Sequence, residues 1–239
     1  MSAAFSSVAS SSDAYSIAAV ICAAGKSSRF SNGTKKEYLE MKESDLTVLG
    51  SSVCAFAAVP AVKTIVIAIP ENDEQSAKDA VPKDLSAGKD VKIIFVTGGA
   101  SRRSSVYNAL LALVHHNPDY VLIHDGARPW INSPFIEEII EKVKIHDAVI
   151  PLLPLTETPK EHNGTFITNH PKRVNVGTAQ TPQAFKFTEI LNAHQKAAAV
   201  EDEEFTDDAE IWGKFCGRVA VVNGLPENRK ITFKEDLCK

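Results

Sequence analysis

At 239 residues, 44% of them hydrophobic, the chain is long enough for a sizeable core in one α/β domain. A formal net charge of −4 leaves no broad basic footprint for nucleic acid, so each cationic cluster must be weighed by itself. No apolar run approaches the roughly 18 residues of a membrane-spanning helix. The four scattered cysteines (Cys22, Cys54, Cys216 and Cys238) have no C-x-x-C spacing. They indicate neither a structural zinc site nor a disulfide framework, which fits a reduced, cytoplasmic setting.

Met1 to Ser12 are rich in Ser and Ala and carry no charged side chain before Asp13, so residues 1–15 read as a flexible tail on a single domain over 16–239. A buried apolar strand over 17–23 runs into a loop of small residues with Gly25, then Lys26, Arg29, Lys35 and Lys36. A helix near 47–58, a strand over 63–70 closed by Pro, and a polar surface helix within 72–89 follow. The strand 91–96 ends in Thr97-Gly98-Gly99, and the apolar positions 106, 110, 113 and 114 give helical spacing over 101–116. The strand 120–123 leads at once into His124-Asp125-Gly126-Ala127-Arg128-Pro129. Asn132-Ser133-Pro134 opens the next helix, and 148–153 is a fifth strand.

This alternation, with strands apolar on both faces, predicts an α/β fold: a doubly wound, mostly parallel sheet. In such sheets ligands bind beyond the carboxyl ends of the strands, which here carry the loops 23–36, 97–105 and 124–129. From 155 to 176 threonines and valines favour extended chain, and Asn163-Gly164 is a hairpin signal. That stretch reads as a β-arm standing off the sheet, and an arm in a compact domain calls for a partner, here a second copy of the chain. A helix over 187–200, a solvated acidic run at 201–204, a helix capped by Thr206 and a last strand over 218–222 complete the chain.

Gly25-Lys26-Ser27 has the look of a phosphate-binding motif, but Val20 stands where a Walker A loop needs its first Gly. The dinucleotide fingerprint is missing too, since Ser27 occupies the second Gly position. The loop is therefore either an anion cradle of another type or a tight turn with solvated cations. Asp125, at the end of a buried strand, either faces the crevice and suits Mg²⁺ held mainly by substrate phosphates, or is a helix cap or an ion-pair partner of Arg128 inside its loop. Gly98-Gly99 allow close backbone approach, with Ser105 offering a hydroxyl on the next helix. Taken singly, Thr158, Lys160, Lys172, Arg173, Arg229 and Lys230 read as solvated side chains. The seven histidines form no metal-ligand motif.

As an ordered set, Ala23-Ala24-Gly25 with Arg29, Lys36-Glu37-Tyr38-Leu39, His124-Asp125-Gly126-Ala127-Arg128-Pro129 and Gln180-Thr181-Pro182-Gln183-Ala184-Phe185 are similar to the 2-C-methyl-D-erythritol 4-phosphate cytidylyltransferases. The resemblance runs from about residue 17 to 237. It implies the Rossmann-like fold of nucleotide-diphospho-sugar transferases and a Mg²⁺-dependent enzyme that joins CMP from CTP to a sugar-alcohol phosphate in isoprenoid precursor synthesis. A homodimer held by the arm is also implied. Arg29 and Lys36 would then stabilise the transition state. Ala23, Ala24, Gly25, Gly99, Ser105, Asp125 and Gly126 would bind CTP, with Asp125 on the metal. Thr158, Arg173 and Lys230 would hold the acceptor. Lys35 stands where the family often has Pro, so two adjacent lysines compete for one role; Lys36 is taken because it directly precedes Glu37-Tyr38-Leu39. Glu37 replaces a commoner Gln, and Glu227 replaces an Asp. Ribitol 5-phosphate cytidylyltransferases share these motifs and are the alternative reading; a catalytically inactive nucleotide-binding regulator is the alternative of another class.

Overall fold

The computed structural model describes residues 15–238 apart from 28, 31–34, 43, 84, 86–89 and 201–203. The expected tail lies outside them except for Tyr15, whose ring meets Tyr120 edge-on at 5.6 Å between centroids. Most of the acidic run at 201–204 also lies outside them, and Glu204 is exposed.

Strand β1 (Ile17–Cys22) is an inner strand of the sheet. Ile17, Ala19 and Ile21 enter one apolar layer with Ile65, Ile67 and Leu122, while Ala18 and Val20 enter the other with Val66, Val121 and Ile123. Burial on both faces is why the strand is an unbroken apolar run and not an alternating one. β2 (Val62–Ile69) and β4 (Tyr120–Asp125) flank β1 in parallel, and β3 (Lys92–Thr97) continues beyond β2. Helices α1 (Val48–Ala57) and α4 (Ser133–His146) cover one face. The short α2 (Glu74–Asp79) adds Ala77 to the same layer. Helix α3 (Arg102–Ala112) covers the other face, with α5 (Phe187–Ala198) and α6 (Asp208–Phe215).

Beyond β4 the order runs to β9 (Gln183–Lys186), β5 (Ala148–Pro154) and β10 (Ala220–Asn223), with β8 (Gly177–Ala179) alongside β5. β9 is antiparallel to both β4 and β5. The sheet is thus mostly parallel, as expected, but the sequence reading passed over β8 and β9. Strands of three and four residues are too short to display a period.

Two local expectations hold and one changes. Asn132 caps α4 by accepting the Phe135 N–H, and Pro134 sits in its first turn. Asn163 Oδ1 accepts the N–H groups of Thr165 and Phe166, and Gly164 takes φ +99°. That turn joins the arm strands β6 (Glu161–His162) and β7 (Ile167–Asn169). The cap of α6, however, is Asp207, which accepts the Glu210 N–H, and not Thr206, which bonds the Glu210 carboxylate instead. A carboxylate accepts from the helix N-terminus more strongly than a hydroxyl, and that decides the cap.

The order β3-β2-β1-β4 reverses direction at β1 and β4, so their carboxyl ends flank a crevice. Register sharpens this, because Cys22 and Asp125 are direct partners at the two strand ends. The Gly25 loop and the Asp125 loop therefore leave the sheet side by side.

On β9, buried Gln183 accepts the N–H groups of Asp208 and Ala209 at 3.1 Å each and donates to Asp207 Oδ2 at 2.8 Å. Removing that amide leaves buried donors without a partner. Gln183→Ala is expected to lower unfolding free energy by about 1–3 kcal/mol in urea titrations. An unchanged midpoint would show that α6 does not depend on this tie.

Candidate active site

The crevice is a cleft of about 400 Å³. Ala24, Gly25, Lys26, Arg29, Lys36, Gly99, Arg102, Ser105, Asp125 and Lys230 are among its lining residues. Five of these side chains are cationic; Asp125 and Glu37 are the carboxylates on the same wall. An excess of positive charge at converging backbone loops suits a polyanion.

Asp125 sits at the floor. It is 7% exposed, and three cations surround it. Lys230 Nζ meets Oδ2 at 3.0 Å and Arg128 Nε meets the same oxygen at 3.3 Å, while Arg102 Nε meets Oδ1 at 3.5 Å. Burial opposes its ionisation, but Lys230, Arg102 and Arg128 outweigh it and hold the carboxyl far below the usual carboxylate range. Asp125 therefore pairs with Arg128 inside its loop and also faces the cleft. Its backbone is fixed as well. Thr181 Oγ1 accepts the Asp125 N–H at 3.1 Å and bonds His124 Nδ1 at 3.0 Å, and His124 Nε2 bonds the Arg128 carbonyl at 3.2 Å. Burial pushes the His124 imidazole down to about 4, so it stays neutral at physiological pH and serves as a scaffold.

Lys35 and Lys36 diverge in space. They open a single 3₁₀ turn, in which adjacent residues point roughly 120° apart. Lys36 turns into the cleft, where its Nζ donates to the Ile231 carbonyl at 2.7 Å. Burial, with help from Lys230 and Arg29, lowers its pKa from the usual lysine value, while Glu37 and Asp125 oppose the shift. Lys35 instead donates to the Gly25 carbonyl and pairs with Glu37 Oε2 at 3.6 Å. Glu37 in turn accepts from Ser27 Oγ at 3.1 Å, which ties the Gly25 loop to the lysine turn. Arg29 and Lys26 are exposed on the cleft wall.

A Cβ placed on Gly25 would meet nothing within 4 Å, so protein packing leaves the space above it open. Gly98 is the opposite case: a Cβ there would lie 2.3 Å from the Ala24 Cβ, so the two loops touch only because it is Gly. Ser105 Oγ accepts the Gly99 N–H at 3.0 Å and donates to the Ser101 carbonyl at 2.8 Å, which holds the second loop closed.

Eight of the anticipated residues thus converge: Ala24, Gly25, Arg29, Lys36, Gly99, Ser105, Asp125 and Lys230 all line the cleft. Ala23 and Gly126 lie beneath it, with their N–H groups bonded to the Ala68 and Cys22 carbonyls. Thr158 and Arg173 stand on the arm, exposed and off this wall, and Arg173 Nη1 donates to the Thr156 carbonyl at 2.7 Å. Glu227 is exposed and does not line the cleft. Arg102 was missed. Its signal was its place three residues beyond Gly99 at the first position of α3, a position from which a side chain reaches a phosphate-sized site.

Comparison with known proteins identifies the family. Residues 17–239 match the model of the family IspD, 2-C-methyl-D-erythritol 4-phosphate cytidylyltransferase. A bifunctional enzyme IspD/IspF of Bartonella tribocorum is 37% identical over 92% of this chain and 54% of its own length. One of Brucella anthropi is 36% identical over 92% of this chain and 53% of its own. The chain thus spans about half the length of the curated relatives it matches. Among solved structures, the 4-diphosphocytidyl-2C-methyl-D-erythritol synthase of Anaerococcus prevotii superposes with a TM-score of 0.81 at 30% identity. That match covers 95% of this chain and 94% of that one. The Francisella tularensis 2-C-methyl-D-erythritol 4-phosphate cytidylyltransferase gives a TM-score of 0.73 at 28% identity over 93% of this chain and 96% of that one. By fold, cleft and these matches, the chain belongs to the 2-C-methyl-D-erythritol 4-phosphate cytidylyltransferase family of nucleotidyltransferases.

Proposed function

We propose that the chain joins CMP from CTP to 2-C-methyl-D-erythritol 4-phosphate and releases diphosphate. The observation that carries this reading is the convergence of Arg29, Lys36, Arg102 and Lys230 on one cleft at the strand ends of β1 and β4. A phosphate monoester oxygen of the acceptor attacks the α-phosphorus of CTP, and the bond to the diphosphate oxygen breaks in line. The attacking phosphate is already ionised at neutral pH, so no general base is required. Charge neutralisation and positioning supply the catalysis, and Arg29 and Lys36 are the side chains assigned to the pentacoordinate phosphorus. The open space above Gly25 leaves room for the triphosphate beside backbone N–H groups.

Among the described residues no group of three or more His, Cys, Asp or Glu gathers as a metal cage. Asp125 fits Mg²⁺ in another way: its carboxyl is held ionised, and Oδ1 carries the looser of its contacts. Asp125 would hold the ion together with nucleotide phosphates, and the ion would offset triphosphate charge.

Thr158, Arg173 and Lys230 are assigned to the acceptor. The first two do not line the cleft of their own chain, and an arm packed on a second copy would bring them to that copy's cleft. Phe166, Ile167 and Val174 are 71%, 55% and 87% exposed on that arm, an apolar surface that a homodimer would cover. The scattered cysteines, with no C-x-x-C spacing, support a cytoplasmic setting for the reaction.

Arg29→Ala and Lys36→Ala are each expected to lower kcat at least ~10²-fold with a small change in KM for CTP. Lys35→Ala should cost less, because it loosens a loop and removes no charge from the cleft. Wild-type turnover in Lys36→Ala would move the role to Lys35. The lowered pKa of Lys36 means its charge is lost earlier than usual as pH rises. The alkaline limb of the kcat profile should therefore fall below the usual lysine range and disappear in Lys36→Arg, whose guanidinium does not titrate there. A limb that persists in that variant assigns it to another group.

Mixing Arg29→Ala with Arg173→Ala chains tests the shared site. Random pairing should restore roughly a quarter of wild-type activity if each arm serves the neighbouring cleft. No recovery would confine the arm to its own subunit. A diphosphate-release assay with CTP, Mg²⁺ and a panel of acceptors tests the reaction itself. Methylerythritol phosphate should be preferred; a preference for ribitol 5-phosphate would reassign the acceptor, and CTP binding without turnover would make the chain a regulator.

A further inference from the structure

Asp208 opens α6 and is fully buried, off the cleft wall. An ionised carboxylate at that depth is costly unless it is paired. Arg102 Nη1 meets its Oδ2 at 2.8 Å as an ion pair. His194 Nε2 lies 3.0 Å from Oδ1. His194 is itself fully buried and stacked against Tyr107, its Nδ1 has no partner, and its Nε2 faces the Asp208 carboxylate as a donor. The helix does not need this carboxylate. Asp207 already caps α6, and Gln183 already accepts the N–H groups of Asp208 and Ala209. The side chain is left to hold Arg102.

Arg102 is stretched between two carboxylates, 2.8 Å from Asp208 and 3.5 Å from Asp125. Asp125 has two further cations, both on Oδ2. Without the pull of Asp208, Arg102 would close on Oδ1 as well and seal the carboxylate on both edges. We propose that Asp208, backed by His194, is a positioning residue for the cleft. It holds Arg102 back from Asp125, keeps the guanidinium presented to the nucleotide phosphates, and leaves Oδ1 of Asp125 open to a further ligand.

This role rests on the nucleotide reading above. Calorimetric titration with CTP in the absence of acceptor tests both and tells them apart. Asp208→Asn keeps the shape and removes the charge; it should raise the Kd for CTP about tenfold or more. The double variant Arg102→Ala with Asp208→Asn should bind no worse than Arg102→Ala alone, because both act through one guanidinium. Thermal unfolding, read in parallel, separates this from loosening of α6. A Kd within about twofold of wild type, or additive losses in the double variant, would overturn the role even if the melting temperature falls. Should Asp208→Asn fail to fold, Arg102→Lys reads the same link, since a lysine keeps the charge but reaches only one carboxylate. It should show the same weakening, and unchanged affinity there would sink the idea. A wild-type chain that binds no CTP removes the nucleotide reading itself; one that binds CTP while both variants match it removes only the part given to Asp208.

Discussion

The buried, ionised carboxylate of Asp125 is the constraint around which the site is built. A lone carboxylate at that depth would be protonated or would unfold its loop. Three cations prevent this, and each comes from a different part of the chain: Arg128 from its own loop, Arg102 from the start of α3, Lys230 from the segment beyond β10. The pairing that keeps Asp125 charged is thus also what brings these segments together. A cleft assembled in this way has its cations in place before any substrate arrives, which is the condition for electrostatic preorganisation.

The segment 180–183 is the mechanical counterpart of that charge cluster. Gln180 holds both backbone groups of Leu225 through its amide, at 2.8 and 3.0 Å. Thr181 holds Asp125 and His124, and its carbonyl accepts from Asn228 at 2.7 Å. Gln183 holds the start of α6. Three residues on and beside one short strand therefore fix the floor of the cleft, the segment that carries Lys230, and the helix that carries Asp208. Buried polar side chains whose partners are all in place both stabilise the fold and rigidify the site they frame.

Much of this was legible in the sequence, for identifiable reasons. The inner strands β1, β2 and β4 are buried on both faces and so read as apolar runs. Asn163-Gly164 announced the hairpin because its backbone demands are local. Asp125 and the Gly25 loop could be placed because doubly wound sheets put ligands at strand ends. What escaped is what long-range contacts decide. β9 is a strand because β4 and β5 offer it hydrogen bonds on both sides, a fact absent from its four residues. Arg102 looked like any helix-opening arginine until Asp208 and Asp125 appeared on either side of it. Lys35 and Lys36 were inseparable by composition; the 3₁₀ turn sets one on the Gly25 carbonyl and the other in the cleft.

The central claim is that one preassembled charge cluster receives the triphosphate. A crystal structure with CTP and Mg²⁺ tests it most directly. The triphosphate should lie above Gly25, with Arg29 and Lys36 on the α-phosphate and the metal on Oδ1 of Asp125. A nucleotide seated elsewhere, or one contacted by Lys35 with Lys36 still bound to the Ile231 carbonyl, would contradict it.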